Sequence, residues 1–365
     1  MNKRVKSNNN KNNALTKFRY LIVACGTLEK EEIEQIFINF AIEAQKRLPT
    51  ALPQNKKRVI IIAGPTGCGK SHFALQLARK IQGEIVSADS MQVYKGMDIG
   101  TAKPTIEERQ QISHHLIDIC HLTDSFNVVD FCYEARQAFQ RIHNRDKVPI
   151  VVGGAGFYIH SLLYGPPLGP PSIPEIRQAL EEEYDRLGPD ALYARLQQLD
   201  LHYASGITKN DKQKIVRALE IITLTGEKVS KLSWKGRHKL QNYDFRCWFL
   251  FRPRPHLYHR IENRCDQMIE DGLLEEVQGL LKKGLLANSS AAQAIGYKQA
   301  IAYLATAKRP DDYLQFVETF KRASRNYAKR QHTWFGKEPL FNWIDMDLYD
   351  TQMIADLISK DFESC

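Results

Sequence analysis

Polar and apolar positions follow two regimes along the chain. Over residues 58–165, short apolar runs alternate with longer amphipathic stretches. "RVIIIAG", "GEIVSAD" and "VPIVVGG" are apolar runs that end in loops, which predicts buried strands. Between them, "KSHFALQLARKI" and "VVDFCYEARQAFQRIHN" space their apolar residues as helices do. Buried strands alternating with helices predict a parallel sheet covered on both faces. Ligands of such sheets bind beyond the carboxyl ends of the strands, where all three loops lie.

The second regime begins at "GPPLGPPSIP", residues 165–174, where the Pro and Gly cluster predicts a hinge. Residues 175–240 read as wholly helical, through "PEIRQALEEEYDRL", "DALYARLQQL" and "KNDKQKIVRALEIITLTG". "DFRCWFLF" then predicts a returning strand, and "HLYHRIENRCDQMIEDGLLEEVQGLLKKG" one long helix. The expected organisation is an N-terminal extension (1–55), a catalytic core (56–165 and 243–345), an all-helical insertion domain (166–242) and a C-terminal tail (346–365). In the extension, "MNKRVKSNNNKNN" is of low complexity, while Ile33, Ile36, Phe37, Phe40 and Ala41 predict one amphipathic helix. A start codon assigned too early is the other reading of this segment.

Composition narrows the class. A hydrophobic share of 43% and a charged share of 25% are those of an ordinary soluble protein. No run approaches the roughly eighteen apolar residues of a membrane span, so a cytoplasmic protein is expected. The net charge of +9 points towards a polyanionic partner. Seven cysteines without a C-x-x-C pair argue against a disulfide framework or a zinc finger.

Gly64-Pro65-Thr66-Gly67-Cys68-Gly69-Lys70-Ser71 matches the P-loop pattern, after a strand and before a helix. Its glycines let backbone N–H groups turn around phosphate oxygens, Lys70 adds a full charge, and the Ser71 hydroxyl can ligate Mg²⁺. The predicted fold class is therefore α/β, a P-loop-type parallel sheet flanked by helices with the helical insertion. P-loop ATPases carry an acidic residue after a second apolar strand. Here "VPIVVGG" ends in glycines, and the carboxylate is Asp89, after the strand that follows the P-loop helix. Asp89 reads either as a turn former or as a general base facing the phosphate loop.

"GPTGCGKS", "SADSMQVYKGMDIGTAKP", "HHLID", "VVGGAGFYIHSLLYG", "NDKQKIVRALEI", "RIENRCDQMIEDGLLEEV", "AIGYKQ" and "YAKRQHTWF" stand in the order found in the tRNA dimethylallyltransferases, also called tRNA isopentenyltransferases. The chain resembles that family over residues 58–345. The resemblance implies transfer of a dimethylallyl group from dimethylallyl diphosphate to N6 of the adenine 3′-adjacent to the anticodon, with Mg²⁺, by a monomer. It implies that the loop Gly64–Ser71 and Arg264 hold the diphosphate, with Thr66 on the bridging oxygen that becomes the leaving anion. Asp89 is then the base, and Asp89, Ser90, Met91 and Gln92 contact the tRNA anticodon stem-loop.

Further tRNA contacts implied by the family are Arg177, the run Gln213, Lys214, Ile215, Val216 and Arg217, then Gly296 and Tyr297, and finally Lys329, Arg330, Gln331 and Trp334. Segment 316–337 sets Lys321, Arg322, Arg325, Lys329, Arg330 and Lys337 against Glu318, a local charge of about +5, interleaved with Tyr327, His332, Trp334 and Phe335. Such a face suits phosphate gripping and base stacking. Two positions depart from the family: Ala155 replaces a threonine implied as a tRNA contact, and Lys214 replaces an arginine, losing a bidentate fork. The rival functions are a P-loop nucleoside or nucleotide kinase and a non-catalytic tRNA-binding ATPase.

Overall fold

The computed structural model describes residues 57–167, 169–232 and 243–364. The expected extension (1–55), Cys25 and Cys365 lie outside the described residues. The chain divides into two compact units, Met1–Leu163 with Asn242–Cys365, and Tyr164–Gln241.

In the first unit, the described residues form a parallel sheet of β1 (Lys57–Ala63), β2 (Gly83–Ala88), β3 (His114–His115), β4 (Val148–Gly153), β5 (Tyr243–Phe251) and β6 (Asn342–Asp345). Its spatial order is β3-β2-β4-β1-β5-β6. β1 pairs with β4 in the register Ala63↔Gly153 and with β5 in the register Ala63↔Phe249. Val59 to Ala63 are fully buried, as a strand covered on both faces requires.

Helices α1 (Lys70–Lys80), α2 (Ile106–Gln111), α3 (Val128–His143) and α4 (Gly156–Tyr164) intervene between the first four strands or follow the fourth. Helices α5 (Pro174–Leu187), α6 (Pro189–Leu199), α7 (Leu201–Ala204) and α8 (Lys212–Thr225) belong to the second unit. It has its own core of Leu180, Tyr184, Leu192, Leu196, Ile215 and Leu219.

After β5 the expected single long helix is two, α9 (Arg254–Glu270) and α10 (Leu273–Lys282). The break falls at Gly272, whose φ of 101° cannot continue a helix. Helices α11 (Ser289–Ala292), α12 (Tyr297–Leu304) and α13 (Pro310–Phe335) precede β6, and α14 (Thr351–Glu363) follows it. The segment expected as a tail is thus structural: Ile354, Ala355 and Ile358 of α14 are buried in the main core. Their spacing of one, three and four residues is the stripe an amphipathic helix buries.

Candidate active site

The site forms at the carboxyl edge of the sheet. Gly67 and Gly69 adopt φ of 80° and 103°, which lets the loop after β1 curl its N–H groups inward. Gly69 caps α1 without a side-chain hydrogen bond, and the first turn contains no acidic residue. The helix N-terminus is therefore left with donors and partial positive charge available to an anion. Arg252 Nε donates to the Cys68 carbonyl at 2.9 Å and Arg260 Nε to the Gly67 carbonyl at 3.0 Å, holding the loop's acceptors outward. Sequence reasoning missed both. Arg260 stands four residues before Arg264 on α9, a same-face spacing that carried the signal.

Lys70 Nζ donates to the Pro65 carbonyl at 2.8 Å. Burial, with the nearby Arg264 guanidinium, pushes its pKa down against the opposing pull of Cys68 and Asp89. A multiply charged anion is what such a desolvated ammonium lacks. The hydroxyls of Thr66 and Ser71 make no hydrogen bond among the described residues, and both line the cleft.

Asp89 makes the bonds of the first of its two sequence readings. Its Oδ1 accepts from the Met91 N–H at 2.8 Å and the Gln92 N–H at 3.3 Å, which is a turn former's bond. Its Oδ2 makes no hydrogen bond among the described residues.

Two cavities open here. The larger, of about 340 Å³, has an apolar flank that includes Met91, Ile261, Met268, Ile295 and Phe320. The smaller, of about 100 Å³, is polar and includes Lys70, Ser71, Ser87, Gln92 and His114. Thr66, Asp89, Thr101, Arg264 and Tyr327 line both. Arg264 keeps much of its side chain accessible within this recess. Its crowded surroundings, chiefly by desolvation, push the guanidinium pKa down. It forms no ion pair among the described residues, an arrangement suited to an incoming anion.

The loop facing these groups is fixed from behind. Glu276 on α10 accepts the N–H groups of Asp98 at 2.9 Å, Ile99 at 2.7 Å and Gly100 at 3.2 Å, and the Tyr297 hydroxyl at 2.6 Å. Gly100 is pressed so closely on the Tyr297 ring that a Cβ would lie 2.5 Å from it. Nothing in the local sequence announces this bond set, because its three backbone partners lie 176–178 residues away and Tyr297 lies 21 away.

Several residues expected on the RNA surface are turned inward. Tyr297 is fully buried with its hydroxyl on Glu276, and Gly296 beside it is buried. Tyr297 is a wall residue of the larger cavity, and Gly296 lines neither cavity. The Gln92 carboxamide is engaged by Ser87 Oγ at 2.8 Å and the Thr101 carbonyl at 3.2 Å, and so braces the loops. Gln331 is 6% exposed and bonded to the P-loop. Ser90, Met91 and Arg330 do line the larger cavity. Ala155 is half-buried, its N–H donating to the Ala88 carbonyl at 3.4 Å. Trp334 packs its edge on His160 at 5.8 Å between ring centroids.

The basic segment is likewise thinned. Lys321 pairs with Asp266 at 2.7 Å, and Arg325 with Glu262 at 2.6 Å and Glu318 at 3.3 Å. The cations of α13 and its end left exposed without an ion pair among the described residues are Arg322, Lys329, Arg330 and Lys337. Phe335 is fully buried and is not offered to a base, whereas His332 packs one side on Trp343 at 5.0 Å and stays exposed.

In the helical unit, Ile215 and Val216 are fully buried core residues and present no side chain to RNA. Gln213 and Lys214 are exposed on the same helix. Lys214 pairs with Asp211 at 3.2 Å, and Arg177 bonds to Gln213 and to Glu181. Arg217 is tied to Glu220 at 2.6 Å. Burial opposes ionisation of Glu220, but hydrogen bonds from Ser172, Arg217 and Ile173 hold its pKa low.

Comparison with known proteins bears on the family of the whole chain. A family described as IPP transferase matches residues 92–338. A tRNA dimethylallyltransferase of Protochlamydia amoebophila is 61% identical over 335 residues, covering 92% of this chain and 97% of that protein. The crystal structure of a full-length tRNA isopentenylpyrophosphate transferase from Bacillus halodurans is 38% identical, with a TM-score of 0.61 over 84% of this chain and 97% of that one. A eukaryotic dimethylallyltransferase acting on tRNA is 30% identical, with a TM-score of 0.69 over 84% of this chain and 79% of that one. Family match, identity over nearly the whole length and a shared α/β architecture agree: this chain belongs to the tRNA dimethylallyltransferase family of prenyl-transferring enzymes.

Proposed function

We propose that the enzyme transfers the dimethylallyl group of dimethylallyl diphosphate to N6 of the adenine 3′-adjacent to the anticodon of tRNA, releasing diphosphate. It does so as a cytoplasmic monomer. The observation that carries this reading is the pair of cavities that share Thr66, Asp89, Arg264 and Tyr327. A donor and an acceptor entering separately would meet at those residues.

The chemistry follows from the groups there. As the amine nitrogen bonds to the allylic carbon, the C–O bond to the diphosphate breaks and charge gathers on its bridging oxygen. The Thr66 hydroxyl, the Lys70 ammonium, the Arg264 guanidinium and the loop N–H groups oppose that charge. The adenine amine is a poor nucleophile because its lone pair is delocalised, so Asp89 Oδ2 takes its proton as the bond forms. A stacked base cannot reach such a recess, so the adenine is extruded from the loop.

The residues fit Mg²⁺ held together with the diphosphate. The Ser71 hydroxyl is exposed, lacks a hydrogen bond among the described residues, and lines the polar cavity beside Lys70. No cluster of three or more His, Cys, Asp or Glu that could hold a metal exists among the described residues. Mg²⁺ commonly takes few protein ligands and completes its shell with phosphate oxygens and water. When bound, it neutralises diphosphate charge. Ser71 would supply the protein ligand.

Incubation of the protein with Mg²⁺, dimethylallyl diphosphate and a tRNA carrying adenine after the anticodon tests the reading. Prenylated adenosine in the digested tRNA, by mass, is expected. Its absence with folded protein, or ATP-dependent phosphorylation of a small acceptor, would overturn it.

A further inference from the structure

Gln331 lies near the end of α13, yet it faces inward and both ends of its carboxamide are engaged. Oε1 accepts the Thr66 N–H at 2.8 Å, and Nε2 donates to the Gly154 carbonyl at 3.0 Å. The orientation is forced: exchanging oxygen and nitrogen would set N–H against N–H and oxygen against oxygen.

The two backbone groups belong to different loops. Thr66 follows β1 and Gly154 follows β4, adjacent strands whose ladder ends at Ala63↔Gly153. The Gln331 side chain therefore continues the connection between the two strands where the sheet itself stops. Gly154 leaves no room for anything else, since a Cβ there would stand 2.0 Å from Gln331 Nε2. Thr66 has a hydroxyl with no partner among the described residues, but its own N–H is held by Gln331 and so is not a phosphate donor in this arrangement.

We propose that Gln331 is a positioning residue for Thr66: by clamping the Thr66 N–H to the Gly154 carbonyl it sets the Thr66 hydroxyl at the meeting point of the two cavities, and it does not bind RNA. This rests on the reading above, in which that hydroxyl serves the leaving diphosphate. The helix that bears the exposed Lys329 and Arg330 thus also bears, on its inner side, the brace of the P-loop.

The test uses the full chain with Gln331→Glu and Gln331→Met, and Gly154→Ala as an independent way to displace the amide. Glu keeps an acceptor for Thr66 but sets a carboxylate oxygen against the Gly154 carbonyl. Met keeps the volume and loses both bonds. Turnover with saturating tRNA, the KM for dimethylallyl diphosphate and the tRNA Kd are measured well below each variant's unfolding midpoint. The expected result is a kcat lower by about 10- to 100-fold, less than the roughly 10²- to 10³-fold of outright loss of a well-placed donor because the hydroxyl is displaced and not removed, with tRNA Kd within about twofold of wild type.

A tRNA Kd weakened tenfold with kcat unchanged would make Gln331 an RNA contact and overturn the proposal. So would wild-type kcat in all three variants. Wild type is assayed first: no prenylation by it defeats the functional reading, whereas wild-type activity retained by the variants defeats this proposal alone.

Discussion

Asp89→Asn isolates the proton-accepting step. Asp89 Oδ1 accepts from two backbone N–H groups, at 2.8 and 3.3 Å, and the carboxamide oxygen of Asn can accept both. The turn that carries Ser90, Met91 and Gln92 is therefore kept. Only Oδ2 is exchanged, for an NH₂ that has no lone pair to offer. The expected change in stability is that of weakening two charge-assisted bonds to neutral ones, about 1 kcal/mol. The expected change in rate is the whole contribution of a positioned base, about 10²- to 10⁴-fold, or roughly 3–5 kcal/mol of activation free energy. Single-turnover prenylation at saturating tRNA reads the rate, and filter binding reads the tRNA Kd. A single-turnover rate within threefold of wild type would remove Asp89 as the base. A fall in rate matched by an equal fall in tRNA affinity would make it a binding residue.

Three other results are expected. Glu276→Gln replaces one of two oxygens that together accept three backbone N–H groups and a tyrosine hydroxyl; urea unfolding should register a loss of about 2–4 kcal/mol, and an unchanged midpoint would refute the brace. Glu84 is nearly buried, and although burial opposes ionisation, hydrogen bonds from His115 and Lys147 and the charge of Arg145 hold its pKa below the ordinary value. Its stabilisation is therefore present above the unfolded value of 4.5 and lost as pH falls through the lower folded value, so Glu84→Gln should flatten the acid limb of the stability–pH curve, and an identical limb would count against the network. Removing Arg322, Lys329, Arg330 and Lys337 together should weaken tRNA binding and lower the slope of log K against log salt by about 3–4, whereas an unchanged slope would show that RNA lies elsewhere.

The strands and the P-loop were legible because a parallel sheet buries both faces and a phosphate loop has a fixed spacing. Val59–Ala63 and Gly64–Ser71 carry those signals locally. Asp89 could be read from its place after β2; its Oδ1 makes the expected turn bonds, and its Oδ2 makes no hydrogen bond among the described residues. The inward-turned residues were not legible. Ile215, Val216, Tyr297 and Gln331 sit within motifs of the family, but which side of a helix meets the core depends on partners far away in sequence. Thr66 and Gln331 are 265 positions apart. The same holds for Lys321 and Arg325, whose neutralising acids lie on α9 or two turns earlier on α13. A charge count over the segment therefore overstated the free positive face.

The position of β5 beside β1 bears on how the chain is made. β1 gains its β4 partner once residue 153 has been synthesised, but its other edge is closed only by residues 243–251. Between these lie about ninety residues, most of them the helical unit, which at cellular rates of ~5–20 residues per second take roughly 5–20 s to translate. Throughout that interval the nascent protein presents one side of an apolar central strand as an unpaired edge, the kind that recruits other chains. A polypeptide released within the helical unit would keep that edge permanently, so premature termination there should yield aggregates, and full-length synthesis should lean on whatever shields the edge until β5 emerges.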